Sequence, residues 1–180
     1  MSETNRLSED EFAAWNALRP VLDVLPAAID SRLMRSIGMT QLPFFVLVHL
    51  HTEPAQVAGL SGLAACADSA LPRMSRVVGR LEGDGLVERA ECVGDGRAIN
   101  VHLTAEGAAL VERALPIYDG IVRELLFDAI TPEERAMLHE ISNRLMARLH
   151  PDSGAPLDRQ QRPEPGASRA GERELVESDA

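Results

Sequence analysis

Apolar residues recur in steps of three and four over the first forty positions of the chain, which is the spacing of one face of an α-helix. The stripe comprises Phe12, Trp15, Leu18, Leu22, Leu25, Ile29, Leu33 and Ile37. Ser8 and Glu11 have the spacing of a capping box, so this helix is predicted to begin at Ser8. Gly38 is predicted to end it. Pro20 and Pro26 fall inside the stripe and predict kinks there.

Three further helices are predicted before the middle of the chain. Thr40 is expected to cap the second helix, which breaks at Glu53-Pro54, and Ser61 is expected to cap a short third helix. Asp68-Ser69 make the turn that follows. The fourth helix is predicted from Ser69 to Glu82, because two glycines stop the pattern directly after it.

A two-stranded hairpin comes next, and two more helices close the pattern. The strands are predicted at Leu86–Glu91 and Ala98–Leu103, around the hairpin-turn signal Gly94-Asp95-Gly96. Thr104 is expected to cap the fifth helix. Thr131 begins a second capping box, with proline at the first helical position of the sixth helix. The apolar stripes of these two helices comprise Ala108, Val111, Leu115, Ile117, Ile121, Val122 and Leu125, then Leu138, Ile141, Leu145 and Leu149.

The segment from Ser61 to Gly107 has the order of a winged helix-turn-helix: a short helix, a turn, a basic helix and a glycine-bounded hairpin. We therefore predict a mainly α-helical fold with six helices and a small β-hairpin wing. Such a module places one helix in the major groove of DNA and the wing beside it.

The fourth helix is predicted to have one basic and one apolar face. Arg73, Arg76 and Arg80 follow helical steps, and the apolar residues Met74, Val77, Val78 and Leu81 form the opposing face. No acidic residue lies between Ser69 and Arg80, so the local charge is positive although the net charge is −10. Taken alone, the helix could be an ordinary amphipathic surface helix, but its flanking elements favour DNA contact.

The hairpin carries a second candidate DNA contact at its tip. Arg97 follows the turn, where a guanidinium can enter the narrow and electronegative minor groove. Asp95 can hold that guanidinium, or it can stabilise the turn itself. A solvated arginine and plain turn chemistry are the alternatives.

Composition and charge exclude several classes of protein. A net charge of −10 argues against a generic polyanion binder, and the 45% hydrophobic content is that of a globular protein. Cys66 and Cys92 form no CxxC pair and the histidines are scattered, so we expect no metal or cofactor. No nucleophile–base pair or phosphate-binding glycine loop is present, so an enzyme is not expected. The polar N-terminus and the short apolar runs predict no membrane span and a cytoplasmic protein.

Two segments of the chain carry a resemblance to a known family: SRVVGRLEGDGLVER (Ser75 to Arg89) and GDGRAINVHLTAEG (Gly94 to Gly107). They resemble the MarR family of bacterial transcriptional regulators, and the second segment matches the family's wing signature. The resemblance extends more weakly from Phe12 to Leu149. The chain departs from the family at Leu71-Pro72, where small polar residues are common.

This resemblance implies a homodimer that binds double-stranded DNA and can respond to a small-molecule effector. Residues 1–150 would form the winged-helix domain. Its DNA-binding lobe would lie at about 57–104 and its dimerisation helices at about 8–37 and 104–150. Composition predicts a disordered acidic tail at residues 151–180, because this segment lacks core-forming side chains. The implied DNA-binding residues are Ser69, Pro72, Arg73, Ser75, Arg76, Arg80, Asp95 and Arg97. The broad apolar stripes of the first, fifth and sixth helices independently favour self-association.

Four residues could contribute to an effector pocket, but core or surface roles explain them better. Trp15 and Phe44 are expected in the core and Arg19 on a solvated face, with His49 the fourth candidate. Cys66 lies among alanines and is expected to be buried, which disfavours oxidant sensing. The leading hypothesis is a ligand-responsive repressor that binds a pseudo-palindromic operator. The alternative is a winged-helix module that docks a protein and does not bind DNA.

Overall fold

The computed structural model describes residues 6–92 and 95–150, with the side chains of residues 91–98 outside the description. Residues 151–180 are also outside it, so the predicted tail stays a prediction. The elements are α1 (Glu9–Ile37), α2 (Gln41–Thr52), β1 (Val57–Gly59), α3 (Leu60–Cys66), α4 (Leu71–Gly83), β2 (Val87–Cys92), β3 (Asp95–Leu103), α5 (Ala105–Leu125) and α6 (Pro132–Leu149). A single 3-10 turn, Phe127–Ala129, lies between α5 and α6.

Three of the predicted helix caps, at Ser8, Thr104 and Thr131, form through their side chains, whereas Thr40 precedes α2 but its hydroxyl makes no capping hydrogen bond. The Ser8 hydroxyl accepts from the Glu11 amide at 3.2 Å, and the Glu11 carboxylate accepts from the Ser8 amide at 2.7 Å. Gly38 ends α1 in the left-handed region, with φ of 76°. Thr104 and Thr131 cap α5 and α6 through their hydroxyls. These helix boundaries are therefore confirmed, and α1 and α5 run continuously through their internal prolines.

Two predicted boundaries in the helix-turn-helix are wrong. Ser61 lies inside α3, which begins at Leu60 after Gly59. The helix α4 begins at Leu71 instead of Ser69, because the Ser69 amide still donates to the Ala64 carbonyl at 2.9 Å and so belongs to the turn that closes α3. Asp68 takes a positive φ of 44° in that turn.

The sheet has three strands instead of the predicted two. The strand order is β1-β3-β2, and both pairings are antiparallel. Val57 pairs with His102 and Gly59 with Asn100, so the short β1 ties the start of α3 to the wing, which is the hairpin of β2 and β3. Three residues are too few to show an alternating pattern, which is why the sequence did not reveal this strand.

The main core lies beneath the helix-turn-helix and a smaller core joins α1 to α5. Met74, Val78 and Leu81 of α4 pack into the main core with residues of α2, α3, the wing and α5. Ile29, Leu33 and Ile121 form the smaller core, and Tyr118 packs against it. Burial, and secondly the Asp119 charge, raise the pKa of Tyr118 above its usual value.

Large parts of α1 and α6 bury no apolar side chain against the rest of the chain. Among the described residues, α6 has no buried residue, and α1 buries only Ile29 and Leu33. Trp15 was expected in the core, but its side chain is 46% exposed because no described part of the chain covers the first half of α1. The exposed apolar residues of α1 and α6 include Phe12, Trp15, Leu18, Val21, Leu22, Val24, Met137, Leu138, Ile141, Leu145 and Leu149.

None of the described helices is by itself long and apolar enough to cross a membrane; α1 and α2 meet the length and hydropathy requirement only as a pair, with a bend of 71° between them.

Candidate nucleic-acid interface

The helix α4 presents the two faces that its sequence predicts. Arg73, Arg76 and Arg80 are exposed. Met74 and Val78 are fully buried, and Leu81 is 2% exposed, on the opposite side of the helix. The apolar side chains hold α4 against the core, and the helix therefore directs three guanidinium groups to solvent. We call Arg73, Arg76 and Arg80 the basic face.

The residues at the start of α4 lie beside the basic face. Pro72 is exposed in the first turn, where its missing N–H costs the helix nothing. The Nε of Arg76 donates to the Pro72 carbonyl oxygen at 3.3 Å, so its guanidinium folds back toward the start of the helix. Ser75 is half-buried on the flank of the helix.

Ser69 occupies the turn before α4 and not the exposed surface. Its hydroxyl oxygen is buried, and no described group accepts or donates a hydrogen bond to it. A direct DNA contact through this hydroxyl would require the turn to rearrange. The structure therefore separates Ser69 from the five predicted DNA-binding residues that lie on α4.

The wing carries the last two predicted site residues at the start of β3. Asp95 is the first residue of β3 and pairs with Cys92 across the hairpin, and Arg97 follows it in the same strand. Their side chains lie outside the description, so the roles assigned to Asp95 and Arg97 stay predictions.

Arg89 of β2 is a functional candidate that the sequence interpretation missed. Its Nη2 donates to the Ser75 carbonyl oxygen at 2.9 Å, and its Nε lies 3.3 Å from a carboxylate oxygen of Glu82. The Arg89 amide also donates to Glu82, at 3.2 Å. The signal in the sequence was Gly79, a glycine in the middle of a helix, since a Cβ there would lie 2.7 Å from the Arg89 Nη2.

The cysteine prediction is wrong for Cys66, which is exposed at the end of α3. The buried stripe of α3 runs through Leu60, Leu63 and Ala64, and Cys66 falls outside that stripe. The Cys92 side chain lies outside the description. Among the residues the structure describes, no three His, Cys, Asp or Glu side chains come close enough to hold a metal ion.

The four residues considered for an effector pocket have separate environments. Phe44 is fully buried, with its ring centroid 5.5 Å from that of Tyr118. Arg19 pairs with Asp23 at 3.5 Å on the solvated surface, as expected, and His49 lies 3.6 Å from Glu53. An open apolar groove lies elsewhere and is lined by Pro20, Val21, Val24, Leu25, Ala28, Leu125 and Leu126.

Comparison with known proteins identifies relatives of the same architecture. Residues 39–99 match the model of the MarR family. The crystal structure of Sco3205, a MarR family transcriptional regulator from Streptomyces coelicolor in complex with DNA, is 31% identical, with a TM-score of 0.78 over 84% of this chain and 95% of that one. AbsC, a MarR family transcriptional regulator from the same organism, is 25% identical, with a TM-score of 0.75 over 82% of this chain and 99% of its own.

A curated relative gives a functional comparison. The transcriptional repressor MprA of Escherichia coli strain K12 is 24% identical over 119 residues, which are 66% of this chain and 67% of MprA. These relatives are transcriptional regulators and not enzymes, in agreement with the expectation from the sequence.

Proposed function

Because this chain belongs to the MarR family of transcriptional regulators, we propose that it binds double-stranded DNA as a homodimer on a pseudo-palindromic operator. The family assignment agrees with the resemblance noted in the sequence. Sco3205, the relative described above, was crystallised in complex with DNA, which supports DNA as the partner of this chain as well.

The observation that carries this proposal is the basic face of α4. Its three arginines are exposed together on a helix whose other side is fixed by the buried side chains of Met74, Val78 and Leu81. Such a helix can enter the major groove, where arginine can bind guanine edges or phosphates. The chain has a net charge of −10, so this local concentration of positive charge is what attracts DNA.

The proposed contacts divide by their place in the fold. Arg73, Arg76 and Arg80 read base edges or bind phosphates, and Pro72 and Ser75 pack against the groove wall. On the wing, Arg97 enters the minor groove and Asp95 orients it or stabilises the turn. Ser69 serves the turn before α4, since its hydroxyl is buried.

A second copy of the chain is the proposed partner of the exposed apolar faces on α1 and α6. Ile141 and Leu145 on α6 are 39% and 49% exposed, and Trp15 on α1 is 46% exposed. Burying such side chains stabilises an assembly by roughly 25 cal/mol per Å² of apolar surface removed from water. A symmetric dimer covers both faces at once and presents two copies of α4.

We expect the protein to be a homodimer in solution, with twice the 19.5 kDa mass of the chain. Replacing Ile141 with aspartate should shift the mass toward that of the monomer, because it places a charge in the proposed interface. Light scattering at micromolar concentration measures the mass of the parent protein and of the Ile141→Asp variant.

The matched control for this prediction is Asn143→Asp, which introduces the same side chain on the other side of α6. It should leave the dimer intact. A parent protein with the mass of one chain would contradict the proposed homodimer. Equal shifts in mass for Asn143→Asp and Ile141→Asp would contradict the proposed interface on α6.

We further propose that residues 1–150 form the winged-helix domain and that residues 151–180 are a dispensable tail. The DNA-binding lobe then lies at about 57–104, between dimerisation helices at about 8–37 and 104–150. Repression is proposed because MprA is named a transcriptional repressor. Response to a small-molecule effector rests on the family resemblance, and such an effector would act by favouring a dimer whose α4 helices no longer match successive major grooves.

Selection of binding sites from a random duplex library tests the DNA-binding function. We expect a pseudo-palindrome with half-sites about one helical turn apart, because a symmetric dimer carries one α4 per subunit. The best-bound sequence, hereafter the selected duplex, should bind more tightly than its scrambled version in fluorescence anisotropy. Failure to enrich any sequence, with no salt-sensitive binding, would favour the protein-docking alternative.

A further inference from the structure

Arg89 joins the wing to α4 through its guanidinium group and its backbone amide. Its Nη2 donates to the Ser75 carbonyl oxygen at 2.9 Å, while its Nε faces Glu82 at 3.3 Å. The Arg89 side chain is only 27% exposed, so these contacts are partly shielded from water. One strand residue therefore contacts α4 at two positions that lie about two helical turns apart.

The residues that receive Arg89 form a single stripe on α4. Ser75, Gly79 and Glu82 follow one another in steps of four and three, which places them on one helix face. This stripe flanks the buried apolar face on one side, and the basic face lies beyond it. We call Arg89 and these three residues the Arg89 latch.

Gly79 provides the space that the Arg89 latch needs. A Cβ at position 79 would lie 2.7 Å from the Arg89 Nη2, which is closer than real Cβ contacts come. Gly79 has no positive φ, so the backbone conformation does not require glycine. A glycine in a helix interior costs about 0.5–1 kcal/mol relative to alanine. Glycine at position 79 leaves room for the Arg89 guanidinium, which explains its presence inside the helix.

The charges in the Arg89 latch suit positioning better than phosphate binding. The Glu82 carboxylate lies beside the guanidinium and also accepts from the Arg89 amide at 3.2 Å, so the positive charge is compensated locally. The Nη2 donor bonds to the Ser75 carbonyl oxygen, whereas the buried Nε lies within ion-pair distance of Glu82 without making a hydrogen bond. The hydrogen bond from the Arg89 guanidinium to the Ser75 carbonyl oxygen restricts rotation of α4 about its own axis.

We propose that Arg89 is a positioning residue that fixes the rotation of α4 relative to the wing and so determines the discrimination between DNA sequences. The inference rests on the proposed DNA-binding function. Base-edge contacts demand accurate placement of side chains, whereas phosphate contacts tolerate small rotations. Loosening the Arg89 latch should therefore reduce sequence discrimination more than it reduces general affinity for DNA.

The first test uses the full-length protein without DNA. Hydrogen exchange of the α4 amides should become about tenfold faster in Arg89→Gln, because this variant removes the restraint on the helix. Gly79→Ala should give a smaller increase, since alanine also favours the helix by about 0.5–1 kcal/mol. Gly83→Ala is the matched control, because it makes the same substitution in the same helix, and a Cβ there would have no atom of the described chain within 4 Å beyond its own helix backbone and chain neighbours. Unchanged α4 exchange in both latch variants would overturn the inference whatever the protein does with DNA.

The second test measures binding to the selected and scrambled duplexes at several salt concentrations. Arg89→Gln and Gly79→Ala should each lower the ratio of the two affinities about tenfold, with an unchanged salt slope. The double variant should be no worse than either single variant, because both disrupt the same contact. Arg89→Lys keeps the charge but not the planar guanidinium, so it should resemble Arg89→Gln.

Three results would contradict the proposal. A salt slope that falls by about one counterion per subunit in Arg89→Gln would make Arg89 a phosphate ligand. Full discrimination by Arg89→Lys would show that charge alone suffices. A parent protein that binds neither duplex would refute the DNA-binding function and the positioning role together. If α4 exchange were still faster in Arg89→Gln and Gly79→Ala, the Arg89 latch would serve only the fold.

Discussion

Replacing Gly107 with alanine is expected to lower the stability of the protein by about 3 kcal/mol, the upper end of the usual cost of overpacking a core. Gly107 is buried in the first turn of α5, and a Cβ there would lie 2.2 Å from the Leu86 carbonyl oxygen and 2.7 Å from the Leu103 Cδ1. The Leu86 carbonyl also accepts from the Thr104 amide at 3.2 Å, so moving it would break the bond that joins the base of the wing to α5. Thermal unfolding should show a melting temperature lower by on the order of 10 °C.

The control for Gly107→Ala lies in the same helix. Gly120 is exposed, and a Cβ added there would have no atom of the described chain within 4 Å beyond its own helix backbone and chain neighbours. Gly120→Ala should therefore leave stability unchanged or raise it by about 0.5–1 kcal/mol through helix propensity. The two variants are compared at equal protein concentration, because dimerisation makes melting temperatures depend on concentration. Equal melting temperatures for Gly107→Ala and the parent would contradict the close packing of the wing against α5.

The helices of this fold could be predicted because their signals are local. The capping boxes at Ser8 and Thr131 need only residues three positions apart, and both form as predicted. The two faces of α4 also follow from helical spacing alone, and its buried residues are the predicted ones. The common exposure of Arg73, Arg76 and Arg80 follows from the same spacing, whereas their contact with DNA stays a proposal.

The features that the sequence did not reveal depend on contacts between distant residues. Strand β1 exists because Val57–Gly59 finds a partner in β3, some forty residues later. Ser61 has the residue type of a helix cap, but α3 begins one residue earlier, where that pairing ends. Arg89 and Gly79 lie ten positions apart on different elements, so only the folded chain shows that one makes room for the other.

Trp15 and Cys66 show how burial expectations fail for different reasons. Trp15 belongs to a helical stripe, but no surface among the described residues covers it, and it stays 46% exposed. Cys66 has apolar neighbours in sequence, yet it lies two residues after Ala64 and therefore on the opposite side of α3 from that buried residue. Sequence pattern identifies which residues are apolar on one face, whereas burial also requires a second surface.

Replacing Arg76 with alanine is expected to cost about 1–3 kcal/mol of binding free energy on the selected duplex if this side chain contacts a base edge. Arg76 is exposed in the middle of the basic face, and its guanidinium bonds only weakly to its own helix, at 3.3 Å to the Pro72 carbonyl. That bond can exchange for a DNA acceptor at little cost, since an exposed side chain gains water or DNA partners in its place. Affinity for the scrambled duplex should fall much less.

Arg97→Ala should give a different phenotype from Arg76→Ala. It should weaken binding to the selected and scrambled duplexes more evenly, because the proposed wing contact is to the minor groove and backbone. It should also flatten the salt dependence, since about one phosphate-associated counterion per subunit is no longer released. Arg113→Ala is the charge-matched control, because Arg113 is exposed on α5 and belongs to neither α4 nor the wing.

Titration of the three variants at several salt concentrations, with circular dichroism to confirm the fold, separates the roles of the two surfaces. Loss of discrimination in Arg76→Ala assigns sequence reading to α4, and a flattened salt slope in Arg97→Ala assigns phosphate contact to the wing. If both variants bind the selected duplex like Arg113→Ala, neither α4 nor the wing is the DNA surface. The exposed arginines of α4 would then be free to contact an acidic protein partner, and the protein-docking alternative would be the better explanation of the basic face.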